Sequence, residues 1–378
     1  MRLQQGQSLL LGRDQPYQQA LFEWDATVAT RHAELHLTAT ELHIRELHTD
    51  YGLTIAPAQC EPHSTADTLL TNLLQPFSQP LTPLPATAAL ELLEQVNAQR
   101  SQEPYHPLNR FGQPGALLEL PPHVQPILVG DLHARVENLL TILQWDGLLS
   151  GIASGQQALI ILGDAVHSEL DGEMENMESS MLMMDLILRL KSLFPNGVFY
   201  LRGNHDSFLA SVSKGGVPQG KLWQHALLEQ RGEAYVAAMQ HLYEHLPLVA
   251  VGQAFLCCHA APPRAKVTRS MITDAYAYPG LVKELLWNRI RTQYLLHGYS
   301  KRDIHRFRKS MGCTPQTPFI VSHNPMDRRQ SHWTNACDIP LYHIFFSGLT
   351  SDIGLFVGVG HEMIPLTLPC QSMVHAHP

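Results

Sequence analysis

The sequence lacks several features that would place it in other classes of protein. Only six of its 378 residues are cysteines, and no CxxC spacing occurs among them. This argues against a disulfide framework and a thiolate zinc site, and it indicates free thiols in a reducing compartment such as the cytoplasm. Charged residues make up only 16% of the chain and the net charge is −8. We expect no nucleic acid partner, because proteins that neutralise phosphates normally have a basic surface.

Long apolar runs are also missing from the sequence. It contains no run of about 18 apolar residues that could span a membrane, and its N-terminus lacks the apolar stretch of a cleavable signal peptide. We therefore expect no membrane span. Secretion into a host cell by a route that needs no cleavable signal stays open.

The chain is rich enough in apolar residues to bury a large core, since they make up 44% of it. Its length exceeds that of a typical domain, roughly 100–200 residues. Two proline-containing stretches, at residues 76–85 and 101–115, interrupt the first part of the chain. We therefore predict an N-terminal accessory region at residues 1–114 and a catalytic domain at residues 115–378.

Within the accessory region, apolar and polar residues alternate over residues 33–44. This alternation predicts a β-ribbon, although a helix over residues 32–48 fits the same segment. Amphipathic patterns predict helices at residues 64–75 and 87–99. No motif identifies a ligand for this region, and we expect it to dock a partner protein.

Three buried-strand patterns in the second part of the chain end in glycine followed by polar residues. They are PILVGDLHA (126–134), LIILGDAVH (159–167) and VFYLRGNHD (198–206). Helical patterns at residues 137–149 and 181–193 follow the first two, which predicts α/β units. The C-terminal ends of strands form the ligand-binding edge of such sheets, so the three loops should meet there.

Two later strand patterns, at residues 248–259 and 318–324, also end in a histidine. The strand-end side chains are all potential metal ligands: Asp131, His133, Asp164, Asn204, His205, His259 and His323. Oxygen and imidazole ligands without thiolate favour Mn, Fe or Zn. Seven groups exceed what one ion needs, so we predict two divalent ions roughly 3.5–4 Å apart that share one carboxylate.

These motifs resemble those of the calcineurin-like metallophosphoesterases, and specifically of the phosphoprotein phosphatase (PPP) family of Ser/Thr phosphatases. The family signatures GDxHG, GDxVDRG, GNHE, HGG and a final strand-end histidine have counterparts here in the same order. The counterparts are Gly130-Asp-Leu-His-Ala134, Gly163-Asp-Ala-Val-His-Ser-Glu169, Gly203-Asn-His-Asp206, His259-Ala-Ala261 and His323. The resemblance covers about residues 115–366.

The resemblance implies an α/β (α+β) fold, a β-sandwich of two mixed sheets flanked by helices, with the metal ligands on loops. The ligands that it implies are Asp131 and His133 for the first ion, Asp164 as the bridge, and Asn204, His259 and His323 for the second. His205 resembles the general acid that protonates the leaving oxygen. The implied cofactors are two divalent ions, Mn, Fe or Zn, with Mn expected to support activity in vitro.

The chain departs from the family where the second signature should end in Asp-Arg-Gly. It has His167-Ser168-Glu169 there, which replaces the aspartate that orients the catalytic histidine and an arginine that grips phosphate. His167 is the candidate for the orienting role. Arg289 matches a phosphate-binding position and, with Asn204, is the main candidate for binding substrate phosphate. Arg202 and Arg135 are further candidates.

An acidic, methionine-rich stretch follows this signature at residues 168–180. Its carboxylates lack the spacing and the central glycine of an EF-hand calcium loop. We predict a solvated insertion here.

Several functions stay open from the sequence. The leading one is a metal-dependent protein phosphatase that acts on phosphoserine or phosphothreonine in a phosphoprotein, with phosphotyrosine as an alternative because the Asp-Arg pair is lost. Asp206 in place of glutamate, and Ala260-Ala261 in place of two glycines, are similar to bacterial branches that include dinucleoside tetraphosphate hydrolases. A hydrolase of small phosphoesters is therefore the second hypothesis, and a non-catalytic binding protein is the third. The additional N-terminal region also fits a bacterial effector phosphatase.

Overall fold

The computed structural model describes most of the chain. The described residues are 8–11, 33–37, 42–46, 63–145, 147–291, 297–324 and 330–370. The chain divides into two compact units, residues 1–61 and residues 62–378. No helix within the described residues combines the length and the apolar character that crossing a membrane requires.

The smaller unit contains a three-stranded antiparallel sheet. Its strands are β1 (Ser8–Leu11), β2 (Ala33–Leu37) and β3 (Leu42–Glu46), with β2 in the centre. Leu35 on β2 pairs with Leu9 on β1 and with Ile44 on β3. The predicted β-ribbon is confirmed, and the alternative helix over residues 32–48 is wrong.

The larger unit begins with two helices, α1 (His63–Leu74) and α2 (Ala86–Arg100). Leu73 and Leu93 are fully buried in the same hydrophobic cluster as the strands of the larger unit. These helices therefore belong to the compact unit that starts at residue 62, whereas the predicted accessory region runs to residue 114. The functional boundary at residue 114 stays a prediction.

The first sheet of the larger unit has the order β14-β13-β5-β6-β7. Its strands are β5 (Gln125–Val129), β6 (Gln157–Ile161), β7 (Val198–Tyr200), β13 (Asp352–Val359) and β14 (Glu362–Pro369). Strands β5, β6 and β7 are parallel, and β13 pairs antiparallel with β5 and β14. The sheet is therefore mixed, and the ends of the three parallel strands lie at one edge.

The second sheet has the order β11-β12-β10-β9-β8-β4. Its strands are β4 (Leu117–Glu119), β8 (Val249–Val251), β9 (Leu256–Cys258), β10 (Phe319–Val321), β11 (His332–Trp333) and β12 (Tyr342–Phe345). Strand β10 is parallel to both β9 and β12, while β8 and β9 are antiparallel. This sheet is also mixed.

The two sheets pack face to face around a shared core. Successive residues of a strand point to opposite faces, so Leu128 and Ile160 face the second sheet, where they join Ile320 and Phe345. Their neighbours, such as Ile127, face the helices on the other side. Because both faces of the sheet are covered, the strands read as unbroken apolar runs. The predicted β-sandwich of two mixed sheets flanked by helices is confirmed.

Helices cover both outer faces of the sandwich. On the first sheet lie α3 (Val136–Leu143), α4 (Leu148–Ala153), α5 (Glu178–Leu193), α6 (Gln219–Arg231) and α7 (Glu233–His245). On the second lie α8 (Arg269–Thr273), α9 (Pro279–Trp287) and α10 (Lys301–Ser310). Short 3-10 turns occur at Ala275–Ala277 and Ala336–Asp338.

Glycines separate two pairs of consecutive helices. The pattern over residues 137–149 predicts one helix. The structure has two, α3 and α4, and Gly147 with a φ of 72° directly precedes α4. Gly232, with φ 85°, likewise separates α6 from α7. A residue with positive φ cannot continue a right-handed helix.

The five cysteines that lie in the described residues carry free thiols, as predicted. Cys60 lies outside the described residues.

Candidate active site

The predicted ligands lie on loops at the C-terminal ends of strands from both sheets. Asp131 follows β5, Asp164 follows β6 and Asn204 follows β7, while His259 follows β9 and His323 follows β10. All five are buried. The sandwich therefore brings together residues that are far apart in the sequence.

Several of these residues have a backbone conformation that is uncommon outside glycine. The φ angles of His133, Asp164 and His323 are 45°, 49° and 58°. Such left-handed residues cost free energy and occur often at active sites, where the surrounding structure holds them. The loops are thus shaped to direct side chains into the site.

Close approach of the loops explains the glycines of the motifs. A Cβ on Gly203 would lie 2.1 Å from Oδ1 of Asp164, and one on Gly163 would lie 2.3 Å from the amide nitrogen of Gly203. A Cβ on Gly130 would lie 2.9 Å from Oγ of Ser322. The glycines of the Gly-Asp and Gly-Asn pairs therefore let the loops approach one another more closely than a residue with a Cβ would allow.

Asp164 belongs to two groups of potential metal ligands. In the first group its carboxylate lies with Asp131 and His133, and in the second with His259 and His323. Within each group the ligand atoms all lie within 4.8 Å of one another. One carboxylate is thus shared by two triads, which is the arrangement expected of a two-metal site.

His259 is oriented for coordination through Nε2. Its Nδ1 lies 2.8 Å from the carbonyl oxygen of Leu162, so Nδ1–H donates to that oxygen. Nε2 then lies 2.9 Å from Oδ1 of Asn204 and 3.4 Å from Oδ2 of Asp164. A carbonyl partner that fixes the tautomer in this way is usual for metal-binding histidines.

The pKa shifts of Asp131 and His259 indicate a negatively charged site that favours a bound cation. Burial, together with the neighbouring Asp164, raises the pKa of Asp131 to about 7. Although burial disfavours an imidazolium, Asp164 and Asp131 raise the pKa of His259 to about 9. Oδ1 of Asp131 and Nδ1 of His133 lack hydrogen-bond partners within the described residues. The donor set therefore fits one or two divalent ions that prefer oxygen and nitrogen ligands.

His205 and His167 form a buried pair beside the ligand cluster. Their Nδ1 atoms are 2.9 Å apart, so one of them donates to the other. The amide of His205 donates to Oδ1 of Asp164 at 2.7 Å, and the amide of His167 donates to Oγ of Ser180 at 2.9 Å. Burial lowers the pKa of His205 to about 4 and lowers that of His167 as well. Both rings are therefore neutral in this structure at pH 7.

Asp206 connects the loops beneath the site. It accepts a hydrogen bond from the hydroxyl of Tyr200 at 2.6 Å, from the amide of Gly203 at 2.7 Å and from the amide of Asp164 at 3.2 Å. This aspartate stands where the family signature has glutamate. Its contacts fix the backbone of both the Asp164 loop and the Asn204 loop.

A cavity of about 450 Å³ opens above the ligand cluster. Arg289 lies at its wall, with Nε 3.5 Å from Nε2 of His323, and Arg135 also lines it, paired with Glu137 at 2.5 Å. Arg202 instead lines a neighbouring cavity, where its guanidinium lies 5.9 Å from the ring centre of Tyr276. The structure therefore brings Arg289 and Arg135 to the site, but not Arg202.

Two cavity residues, Glu169 and Lys214, have no role predicted from the sequence. Glu169 lies with Oε1 3.4 Å from Nε2 of His133, and it forms an ion pair with Lys214. Ser168, Met177 and Ser180 are buried and Glu169 is half-buried, so the prediction of a solvated insertion is wrong at both ends of the stretch 168–180. The signal for Lys214 was the Gly-Gly pair that follows it, which is typical of a tight turn.

Fold and site together define a metallophosphoesterase. A solved protein serine/threonine phosphatase from Saccharomyces cerevisiae, described as similar to human phosphatase PP5, superimposes with a TM-score of 0.59 and 17% identity. The match covers 82% of this chain and 97% of that chain. At this level of identity the likeness shows a shared fold.

The sequence places the chain in a named family. The family described as calcineurin-like phosphoesterase matches residues 126–339, more than half of the chain, and the chain belongs to that family. It is also similar to the serine/threonine-protein phosphatase PP2A-like PPG1 of Candida albicans, with 27% identity over 168 residues. That alignment covers 43% of this chain, which spans only 36% of the length of the relative. The predicted family resemblance is confirmed, whereas the bacterial branch and the effector role stay predictions.

Proposed function

We propose that the protein is a metal-dependent phosphoprotein phosphatase that hydrolyses phosphoserine and phosphothreonine monoesters. The observation that carries the proposal is the carboxylate of Asp164, which two ligand triads share at the floor of the cavity. The similarity to a PP2A-like phosphatase supports a phosphoprotein as substrate.

Asp131, His133 and Asp164 would hold one ion, and Asp164, Asn204, His259 and His323 the other. When bound, two divalent ions would supply a water of lowered pKa as the nucleophile and positive charge to offset the charge that develops at phosphorus. Asp164 is well suited to the shared position because its pKa lies well below its usual value, despite burial, owing to His259 and His205. It therefore stays a carboxylate.

His205 is the proposed general acid. It lines the cavity, and its Nδ1 faces His167, so its Nε2 is the atom that can hold a transferable proton. If Nδ1–H of His167 donates to Nδ1 of His205, neutral His205 must carry its proton on Nε2. His167 would thus hold the tautomer that can protonate the leaving oxygen, the role that an aspartate has in the family signature.

Arg289 and Asn204 are the proposed ligands of the substrate phosphate. Arg289 lines the cavity next to His323, and Asn204 lines it next to His259. The planar guanidinium can bind two phosphate oxygens at once. A phosphoryl group held in this way would lie over the second ligand triad.

Substrate preference is tested by turnover with Mn of phosphoserine, phosphothreonine and phosphotyrosine peptides of one sequence, and of a dinucleoside tetraphosphate. We expect the first two peptides to be hydrolysed with the highest kcat/KM, and His205→Ala to lower kcat by about 10²–10⁴-fold. The matched control is His225→Ala, because His225 is an exposed histidine on α6 that pairs with Glu229.

Each alternative function predicts a different result with this set of substrates. Higher kcat/KM for the phosphotyrosine peptide would replace the proposed residue specificity, and preference for the dinucleotide would point to a small-molecule hydrolase. A protein that binds Mn but turns over none of these substrates would contradict enzymatic function. Comparison of Mn, Fe and Zn in the same assay identifies the metal that supports activity. Docking of a partner by residues 1–114 and secretion into a host cell stay predictions.

A further inference from the structure

Lys214 is a cation at the cavity that no family motif accounts for. Its ammonium forms an ion pair with Glu169, whose other contact is Nε2 of His133 at 3.4 Å. The Lys214 side chain is 38% exposed, so it borders the cavity without being buried in it. The ammonium therefore lies beside the first ligand triad.

The backbone holds Lys214 in a fixed place. Lys214 and Val217 exchange two backbone hydrogen bonds, of 3.1 and 2.9 Å, around Gly215 and Gly216. Both glycines have positive φ, 56° and 87°, as a type I′ turn requires. A two-residue hairpin of this kind is rigid, so the lysine stem starts from a defined position.

A buried glutamine joins this hairpin to the loop that carries Glu169. Gln219, at the start of α6, is fully buried, and its amide donates to the carbonyl oxygen of Ser168 at 2.9 Å. The two loops are thereby fastened to each other next to the ion pair. The approach of Lys214 to the site is thus built into the fold.

Lys214 and Arg289 lie beside different ligand triads. Arg289 is 3.5 Å from His323, which belongs to the second triad, whereas Lys214 reaches the first triad through Glu169 and His133. A phosphate dianion above the shared Asp164 would therefore have one cation on each side. Ser168, which stands where the family has an arginine, cannot supply the second charge.

We propose that Lys214 is the second substrate-phosphate ligand of this site, and that Glu169 holds it there as an exchangeable counterion. This inference rests on the proposed function. In the free protein Glu169 neutralises the ammonium, and a phosphate dianion takes over that contact when it binds. Glu169 then competes with phosphate for Lys214, so removing either charge changes phosphate affinity in opposite directions.

The test measures binding of inorganic phosphate to the Mn-loaded full chain by calorimetry, with Mn content determined for every variant. We expect Lys214→Gln to weaken phosphate binding about tenfold, a loss of about 1.4 kcal/mol, and Lys214→Arg to stay close to wild type. Glu169→Gln should strengthen binding about threefold or more. In the Lys214→Gln background, Glu169→Gln should have no such effect, because its competitor is gone.

The matched control is Lys221→Gln, since Lys221 is an exposed lysine on α6 that donates to Oε1 of Gln224 at 3.1 Å. It should bind phosphate as wild type does. Unchanged affinity in Lys214→Gln, or no phosphate binding by the wild-type protein, would overturn the inference. Equal losses in Glu169→Gln and Lys214→Gln would also overturn it, because a purely structural ion pair behaves that way.

Turnover of an aryl phosphate in the same samples separates this inference from the proposed function. Phosphate binding that depends on Lys214 without any turnover would contradict the proposed function alone. Turnover with phosphate binding that is indifferent to Lys214 would contradict the inference alone.

Discussion

A buried charge cluster attaches α2 to the catalytic core, and neutralising it should be costly. Glu103, just beyond α2, is only 8% exposed and lies between two cations that are also buried, Arg100 at 2.5 Å and Lys191 on α5. His106 lies 3.3 Å away on the same carboxylate. Glu103→Gln would leave both cations buried without a counterion. The loss expected for breaking such a buried pair is about 3–5 kcal/mol.

The lowered pKa of Glu103 determines how its contribution to stability changes with pH. Burial alone would raise the pKa of Glu103, but Lys191, His106 and Arg100 together hold it below its usual value of 4.5. A lowered folded-state pKa means that the stabilisation is fully present above pH 4.5 and is lost as the pH falls below it. Wild type should therefore lose stability more steeply than Glu103→Gln as the solution is acidified.

The assay is thermal and urea unfolding of both proteins between pH 7 and pH 3. For a unit of this size, 3–5 kcal/mol corresponds to a Tm lower by about 4–8 °C at pH 7. Glu94→Gln is the control, because Glu94 is exposed on the same helix, and its effect should stay within about 0.5 kcal/mol. Two results would contradict a stabilising role for Glu103: a Glu103→Gln protein that is as stable as wild type at pH 7, or a stability difference between the two proteins that does not narrow on acidification.

Three further predictions concern the site. Asp164→Asn removes the shared carboxylate, so elemental analysis should find at most one Mn per chain and kcat/KM should fall by at least about 10³-fold; two retained ions would contradict the bridging role. His167→Ala should lower kcat about 10–100-fold with little change in KM, and the double variant His167→Ala/His205→Ala should have the same kcat as His205→Ala. Additive losses of kcat in the double variant would show that the two residues act separately. Gly203→Ala places a Cβ 2.1 Å from Asp164 and should reduce Mn binding in calorimetry, whereas Gly280→Ala, with open space around it, should not.

The sandwich and the convergence of the candidate ligands were predictable because they depend on local patterns that repeat. An apolar run that ends in glycine and a carboxylate indicates a buried strand and a loop at its end, and the chain has this pattern at Asp131 and Asp164. The histidines at the ends of β9 and β10 also directly follow apolar runs. Since strand ends meet at one edge of a sheet, their order along the chain sufficed to predict convergence.

Helix boundaries were harder to predict, because a continuous amphipathic pattern can hide a break. Gly147 and Gly232 each adopt a positive φ that ends a helix, but a glycine inside a pattern can also be tolerated at a cost of about 1 kcal/mol. Which outcome occurs depends on whether the two halves pack better when they diverge. Packing against the sheet is a long-range interaction, so the local sequence alone does not predict the outcome.

The ion pair of Glu169 and Lys214 illustrates a stronger limit. The two residues are 45 positions apart, and neither belongs to a periodic pattern, so nothing in either segment indicates the other. They meet because a buried amide, Gln219, binds the carbonyl of Ser168 and fastens one loop to the next. Loss of a charge from a family motif can therefore be balanced only by a residue that the tertiary structure supplies. A substitution at a motif position should be judged by the charges that surround it in space, and next to Ser168 those charges include Glu169 and its partner Lys214.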